Sequence, residues 1–87
     1  MFYVHTARMD AESVQVARHD FDVLAHANQN VTIDMTNVDY IDSAGVGALV
    51  YVFKRVRARG HKVEVINLNG QPKQLFEDLR LTRAFGT

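Results

Sequence analysis

Residues 42–49 (DSAGVGAL) most constrain the fold, because a helical pattern begins there although two glycines fall within its first turns. From this point apolar residues recur at the spacing of one helix face, the set being Val46, Leu49, Val50, Phe53 and Val56. A glycine inside a helix costs about 0.5–1 kcal/mol relative to alanine. Close approach by another molecule, or tight packing on a neighbouring strand, would each explain Gly45 and Gly47.

Ser43 is predicted to be the N-cap of this helix, since serine is a strongly preferred cap residue. A serine at a helix N-terminus also suits a phosphate, because free backbone N–H groups and the helix dipole favour an anion there. The carboxylate of Asp42 would oppose that group, as expected for a reversible mark. The residues alone leave both interpretations open, and a plain cap is the simpler one.

The rest of the chain alternates strand and helix patterns. Residues 2–5 are predicted to form a first strand, and Asp10 is predicted to cap a helix over residues 11–27. The buried stripe expected of that helix comprises Val14, Ala17, Phe21 and Leu24. A second strand follows, in which Val31, Ile33 and Met35 alternate with polar residues.

The second half repeats this order. The helix that starts near Ser43 is expected to end at Gly60, and residues 62–68 to form the next strand. After a turn at Asn69 and Gly70, Pro72 fits the first turn of a helix whose buried residues would be Leu75, Phe76 and Leu79. Alternating strands and helices predict a single α/β domain over residues 1–87 with a largely parallel sheet.

Length and charge exclude several classes of protein. Eighty-seven residues are too few to enclose a deep catalytic cleft, and ten basic residues balance ten acidic ones, so we expect no direct binding of nucleic acid. The chain has no cysteine, shows no signal peptide, and its most apolar run is far shorter than the ~20 residues that span a bilayer. We therefore expect a cytoplasmic protein without membrane insertion.

Other candidate chemistry is sparse. The four histidines, His5, His19, His26 and His61, are interpreted as surface residues rather than metal ligands. We expect Asp34, Asp39 and Asp42 to shape turns rather than to bind a cation or nucleotide. We expect the basic residues at positions 54–59 to complement the C-terminal end of a helix rather than to bind a phosphate-rich partner. No catalytic arrangement can be argued from spacing, so we expect no enzyme, cofactor or metal site.

Residues 31–47 (VTIDMTNVDYIDSAGVG) resemble the signature of STAS domains, typified by bacterial anti-sigma factor antagonists. The shared pattern is a hydrophobic strand, a short loop, Asp-Ser-x-Gly-x-Gly and a helix. Residues 60–68 resemble the next strand of the family and 69–85 its closing helix and tail. The resemblance implies a STAS-like domain with a small mixed sheet. The domain would be shortened at the N-terminus, where Ala7 replaces a usual glycine and most of the first strand is missing.

The resemblance also implies a function. Ser43 aligns with the serine that is phosphorylated in members of the family, and Ala44 occupies the position at which many members have a second hydroxyl residue. A partner serine kinase that is also an anti-sigma factor would phosphorylate Ser43, and a cognate phosphatase would reverse the mark. The partner-binding surface would comprise Asp42, Ser43, Ala44, Gly45, Val46 and Gly47.

Two further hypotheses concern assembly. The alternative function is a structural subunit resembling the STAS component of a lipid-transporting ABC complex, in which no switch is needed. Separately, an unpaired edge of the N-terminal strand would allow a homodimer.

Overall fold

The computed structural model describes residues Met1 to Thr87. Its elements, in chain order, are β1 (Phe2–Tyr3), β2 (Arg8–Met9), α1 (Ala11–Val16), α2 (Arg18–Ala25), β3 (Val31–Asp34), β4 (Tyr40–Ile41), α3 (Ser43–Ala58), β5 (Val63–Ile66) and α4 (Gly70–Asp78). The predicted α/β class is confirmed.

The strands form two small sheets. One has the order β1-β3-β5 and the other pairs β2 with β4. Every pairing is parallel: Phe2 lies opposite Ile33, Val31 opposite Val63, and Met9 opposite Ile41. The predicted parallel arrangement is confirmed, although it is divided between two sheets.

The core lies between the three-stranded sheet and the helices. Alternate residues of β3 and β5 are buried, among them Ile33 and Val65, which are fully enclosed. Helix α3 contributes Leu49, Val52 and Val56, which are also fully buried. Each such side chain contributes about 1.5–3 kcal/mol by leaving water, so α3 is held firmly on the sheet. Val46, Val50 and Phe53, expected on this face, are only half-buried.

The prediction of one helix over residues 11–27 is wrong. The chain turns at Ala17, whose φ of −91° and ψ of 10° separate α1 from α2. Asp10 caps α1 as predicted: its carboxylate accepts a hydrogen bond from the Ser13 N–H, and the Ser13 hydroxyl oxygen accepts one from the Asp10 N–H. Of the expected stripe only Phe21 is buried, and Val14, Ala17 and Leu24 are half-buried. The segment contains no glycine or proline, so the sequence carries no local signal for the break.

The C-terminal segment supplies a core residue that the sequence analysis did not identify. Phe85 is buried and packs on Phe53 and Phe76, with ring centroids 5.1 and 5.5 Å apart. Leu79, expected in the core, is 50% exposed because α4 ends at Asp78. None of the helices combines the length and apolarity that crossing a membrane requires.

Candidate functional site at the start of α3

The start of α3 is fixed by the short strand before it. Because Met9 lies opposite Ile41, the chain leaves β4 beside β2, and the Asp42 N–H donates to the Met9 carbonyl over 3.3 Å. On the other edge of β4 the side chain of Gln71 takes the place of a strand. The Ile41 N–H donates to its Oε1 over 2.8 Å, and its Nε2 donates to the Ile41 carbonyl over 2.9 Å. The junction into α3 is thus held from both sides.

Asp42, not Ser43, caps α3. The Asp42 backbone is extended, with φ −120° and ψ −167°, and its Oδ1 accepts from the N–H groups of Ala44 and Gly45 at 2.9 and 3.3 Å. The prediction that Ser43 is the cap is therefore wrong. Aspartate is as good a cap as serine, and its negative charge also complements the helix dipole.

This correction changes the electrostatics expected at Ser43. The N–H groups of Ala44 and Gly45 already bond the Asp42 carboxylate, and that of Val46 donates to the Asp42 carbonyl over 2.9 Å. These donors are engaged and cannot stabilise a phosphate on Ser43 without breaking the cap. The neighbouring carboxylate would also repel it.

Ser43 is the first residue of α3 and is exposed. Its hydroxyl takes part in no hydrogen bond within the chain, whereas the Thr36 hydroxyl donates to the Asp34 carboxylate. A group added to the Ser43 oxygen would therefore break no internal contact.

The two glycines of the segment have different surroundings. A β-carbon at Gly45 would lie 2.4 Å from the Met9 carbonyl oxygen, whereas one at Gly47 would meet nothing within 4 Å. Gly45 is buried and Gly47 is exposed. Internal packing explains the first glycine, and it leaves the second unexplained.

The predicted partner-binding residues do not all reach the surface. Ser43 and Gly47 are exposed, Asp42, Ala44 and Val46 are half-buried, and Gly45 is enclosed. The surface accessible at this helix start therefore centres on Ser43 and Gly47, with the half-buried residues at its margin.

Arg8 and Tyr40 add a contact that the sequence analysis missed. The guanidinium of Arg8 lies 4.2 Å from the centre of the Tyr40 ring and forms an ion pair of 3.2 Å with Asp10. This ion pair, together with the Ser13 N–H bond to the Asp10 carboxylate, lowers the pKa of Asp10, the hydrogen bond from Ser13 being the larger cause. The contact of Arg8 with Tyr40 depends on the pairing of β2 with β4, in which these two residues lie opposite each other.

Asp34 shapes the loop that precedes β4. Its Oδ1 accepts hydrogen bonds from the Thr36 N–H and hydroxyl and from the Asn67 amide. These bonds favour the ionised carboxylate and lower the pKa of Asp34, the Thr36 hydroxyl contributing most. The chain brings no three histidine or acidic side chains together in a group that could hold a metal ion.

A family model described as the STAS domain matches residues 1–87. The chain belongs to the STAS domain family. A similar curated protein is the anti-sigma-B factor antagonist of Bacillus subtilis (strain 168), which is 32% identical over 69 residues. The match covers 79% of this STAS domain and 63% of that relative, so the chain spans less than two thirds of the relative's length.

Proposed function

We propose that this STAS domain is a bacterial regulatory protein-binding module of the anti-sigma factor antagonist type, switched by phosphorylation of Ser43. A partner serine kinase that is itself the anti-sigma factor would add the phosphate, and a cognate phosphatase would remove it. The observation that carries the proposal is the exposed, unpaired hydroxyl of Ser43 at the start of α3, one turn from the exposed Gly47. The name of the Bacillus relative supports the same role.

The switch would act on binding rather than on folding. A phosphate adds about −1.5 to −2 charges and a large hydration shell, but Ser43 has no internal partner to lose. Placed at the centre of a contact surface, it needs to remove only about 3 kcal/mol of binding to weaken affinity a hundredfold. The adjacent Asp42 carboxylate repels the phosphate, which favours its removal.

Phosphorylation can be tested by incubating the protein with ATP and a candidate serine kinase from the same genome, then mapping the phosphate by mass spectrometry. We expect one phosphate, on Ser43, and none on Ser43→Ala. Thr36→Ala is the matched control, because that hydroxyl is engaged with Asp34 and should not be the acceptor. Stoichiometric phosphate on Thr36, or undiminished phosphorylation of Ser43→Ala, would contradict the proposal.

Partner binding gives a second test. Ser43→Asp should weaken the complex with the anti-sigma factor, whereas Ser43→Ala should preserve it, because only the first introduces charge at the contact surface. Titration calorimetry of both variants measures the difference. Equal affinities would instead favour the structural subunit of a lipid-transporting complex, in which Ser43 has no switching role.

We also propose that two copies can pair through β1. This strand is at the edge of its sheet, and because the Val4 N–H donates inward to the Asp34 carbonyl, strand alternation points the N–H of Tyr3 outward. Light scattering should then give a mass near twice 9.8 kDa at high concentration. Tyr3→Pro removes the outward donor and should abolish the dimer, while Tyr3→Ala should keep it. A monomer at every concentration would refute the pairing.

A further inference from the structure

Three cationic side chains surround an open cavity at the end of α3 remote from Ser43. The cavity has a volume of about 560 Å³, and its cations are Arg57 on α3, Lys62 before β5 and Arg83 beyond α4. At 1.5 Å per helical residue, Arg57 lies about 21 Å along α3 from Ser43. The cavity is thus separate from the proposed switch.

Neighbouring arginines have internal partners that these three lack. Arg59 donates to the carbonyls of Ala25 and Ala27 at the end of α2, and Arg55 lies 5.1 Å from the centre of the Tyr51 ring. The one ion pair of the chain joins Arg8 and Asp10. The side chains of Arg57, Lys62 and Arg83 donate to no protein acceptor. Arg57 lies in the last turn of α3, where its charge complements the helix dipole, but Lys62 and Arg83 lie outside the helices. Neither the dipole nor ion pairing therefore explains why three separate segments place cations around one cavity.

The remaining wall of the cavity offers further donors and an apolar surface. The Asn30 Oδ1 accepts from the Lys62 N–H over 3.0 Å, which leaves the Asn30 NH₂ group without an internal acceptor. The hydroxyl of Thr32 is also unengaged, and Phe53 supplies an aromatic wall. Glu64 is the one carboxylate among the lining residues, against three cations. The lining therefore carries a positive excess suited to a dianion.

We propose that this cavity binds a small soluble molecule that carries a phosphate group. The phosphate would lie among Arg57, Lys62 and Arg83, whose charge-assisted hydrogen bonds are the strong kind, and an apolar part of the ligand would contact Phe53. The volume is within the range of about 300–1,000 Å³ typical of small-molecule sites. This site needs neither Ser43 nor a protein partner, so it does not depend on the proposed function.

Nuclear magnetic resonance titration of the ¹⁵N-labelled protein with ATP and with pyrophosphate tests the proposal, using sodium chloride at matched ionic strength as the blank. We expect saturable shifts of the backbone amides of Thr32, Glu64 and Gly86 with both phosphate probes and none with chloride. The double variant Arg57→Gln, Arg83→Gln should weaken binding at least about tenfold. Lys54→Gln is the matched control, because it removes one cation from the same helix outside the cavity.

Three results would overturn the proposal. One is that the amide shifts do not saturate with ATP or do not saturate with pyrophosphate. Another is equal weakening by Lys54→Gln, which would indicate diffuse attraction between charges rather than a site. The third is binding to vesicles containing phosphatidic acid without binding to ATP or pyrophosphate, which would make the ligand a lipid headgroup. Because every substituted side chain is exposed, the variants should fold, and their spectra check this directly.

Discussion

A β-carbon on Gly45 would lie 2.4 Å from the carbonyl oxygen of Met9. That carbonyl also accepts the N–H of Asp42, so it cannot move away without loosening the pairing of β2 with β4. The first turn of α3 therefore rests directly on the strand pair beneath it. This contact fixes the distance between the strand pair and the first turn of α3, which carries the exposed Ser43.

Gly45→Ala should destabilise the domain by about 2 kcal/mol or more, because the added methyl group meets backbone rather than a flexible side chain. Urea unfolding of the wild type and the variant measures the loss. A change below about 0.5 kcal/mol would show that the helix start shifts easily.

Gly47→Ala should have the opposite effect on stability. Its β-carbon meets no atom within 4 Å, so alanine should stabilise the isolated domain by up to about 1 kcal/mol through better helix propensity. Binding of the protein partner should nevertheless weaken, because the methyl group holds the partner's backbone away from the helix. Thermal or urea melts, paired with affinity measurements on the same variant, test both parts. Unchanged affinity would place the partner surface elsewhere.

Removal of the cap separates the roles of Asp42 and Ser43. Asp42→Ala should lower the free energy of unfolding by about 1 kcal/mol, because the N–H groups of Ala44 and Gly45 lose their acceptor. Ser43→Ala should change it by less than about 0.5 kcal/mol, since the hydroxyl makes no internal bond. Asp42→Asn, which retains a capping oxygen, is the control for the first variant. A larger loss of unfolding free energy from Ser43→Ala than from Asp42→Ala would show that Ser43, not Asp42, caps the helix.

Local signals in the sequence were sufficient for much of the fold. The alternation of Val31 and Ile33 with polar residues located β3, and Asp10 located the start of α1. Gly60 follows the last residues of α3 with a φ of +83°, the left-handed conformation predicted for a glycine after a helix. In each of these cases residues close together in the sequence determine the local conformation.

The features that were missed depend on contacts between distant residues. Strands β2 and β4 have two residues each, too few to show a period, and they exist because they pair with each other. Gln71 bonds Ile41 across 30 positions of sequence. The break at Ala17 has no local breaker, and the burial of Phe85 depends on the rings of Phe53 and Phe76.

At the candidate site the sequence located the segment but misplaced the cap by one residue. Asp42 and Ser43 are adjacent and both are good caps, so a local pattern cannot rank them. The pairing of the Asp42 N–H with Met9 decides between them, because it fixes Asp42 as the last extended residue. The exposure of Ser43 that supports the proposed switch follows from that same placement.

Acid should weaken the loop that leads to β4 through Asp34. Hydrogen bonds from Thr36 and Asn67 favour the ionised carboxylate and lower its pKa from the usual value of 3.8. The ionised group is thus preferred in the folded state. At pH values well above 3.8 its contribution to stability is complete, and this contribution is lost as the pH falls through the lower pKa of the folded protein.

Asp34→Asn has no such titration, so the stability difference between wild type and variant should be larger at about pH 6 than at about pH 3. Urea melts at both values measure it, and Asp39→Asn is the matched control, since that carboxylate is exposed in the same loop and accepts no side-chain hydrogen bond. An equal difference at the two pH values would show that the bonds to Asp34 do not discriminate between its ionised and protonated forms.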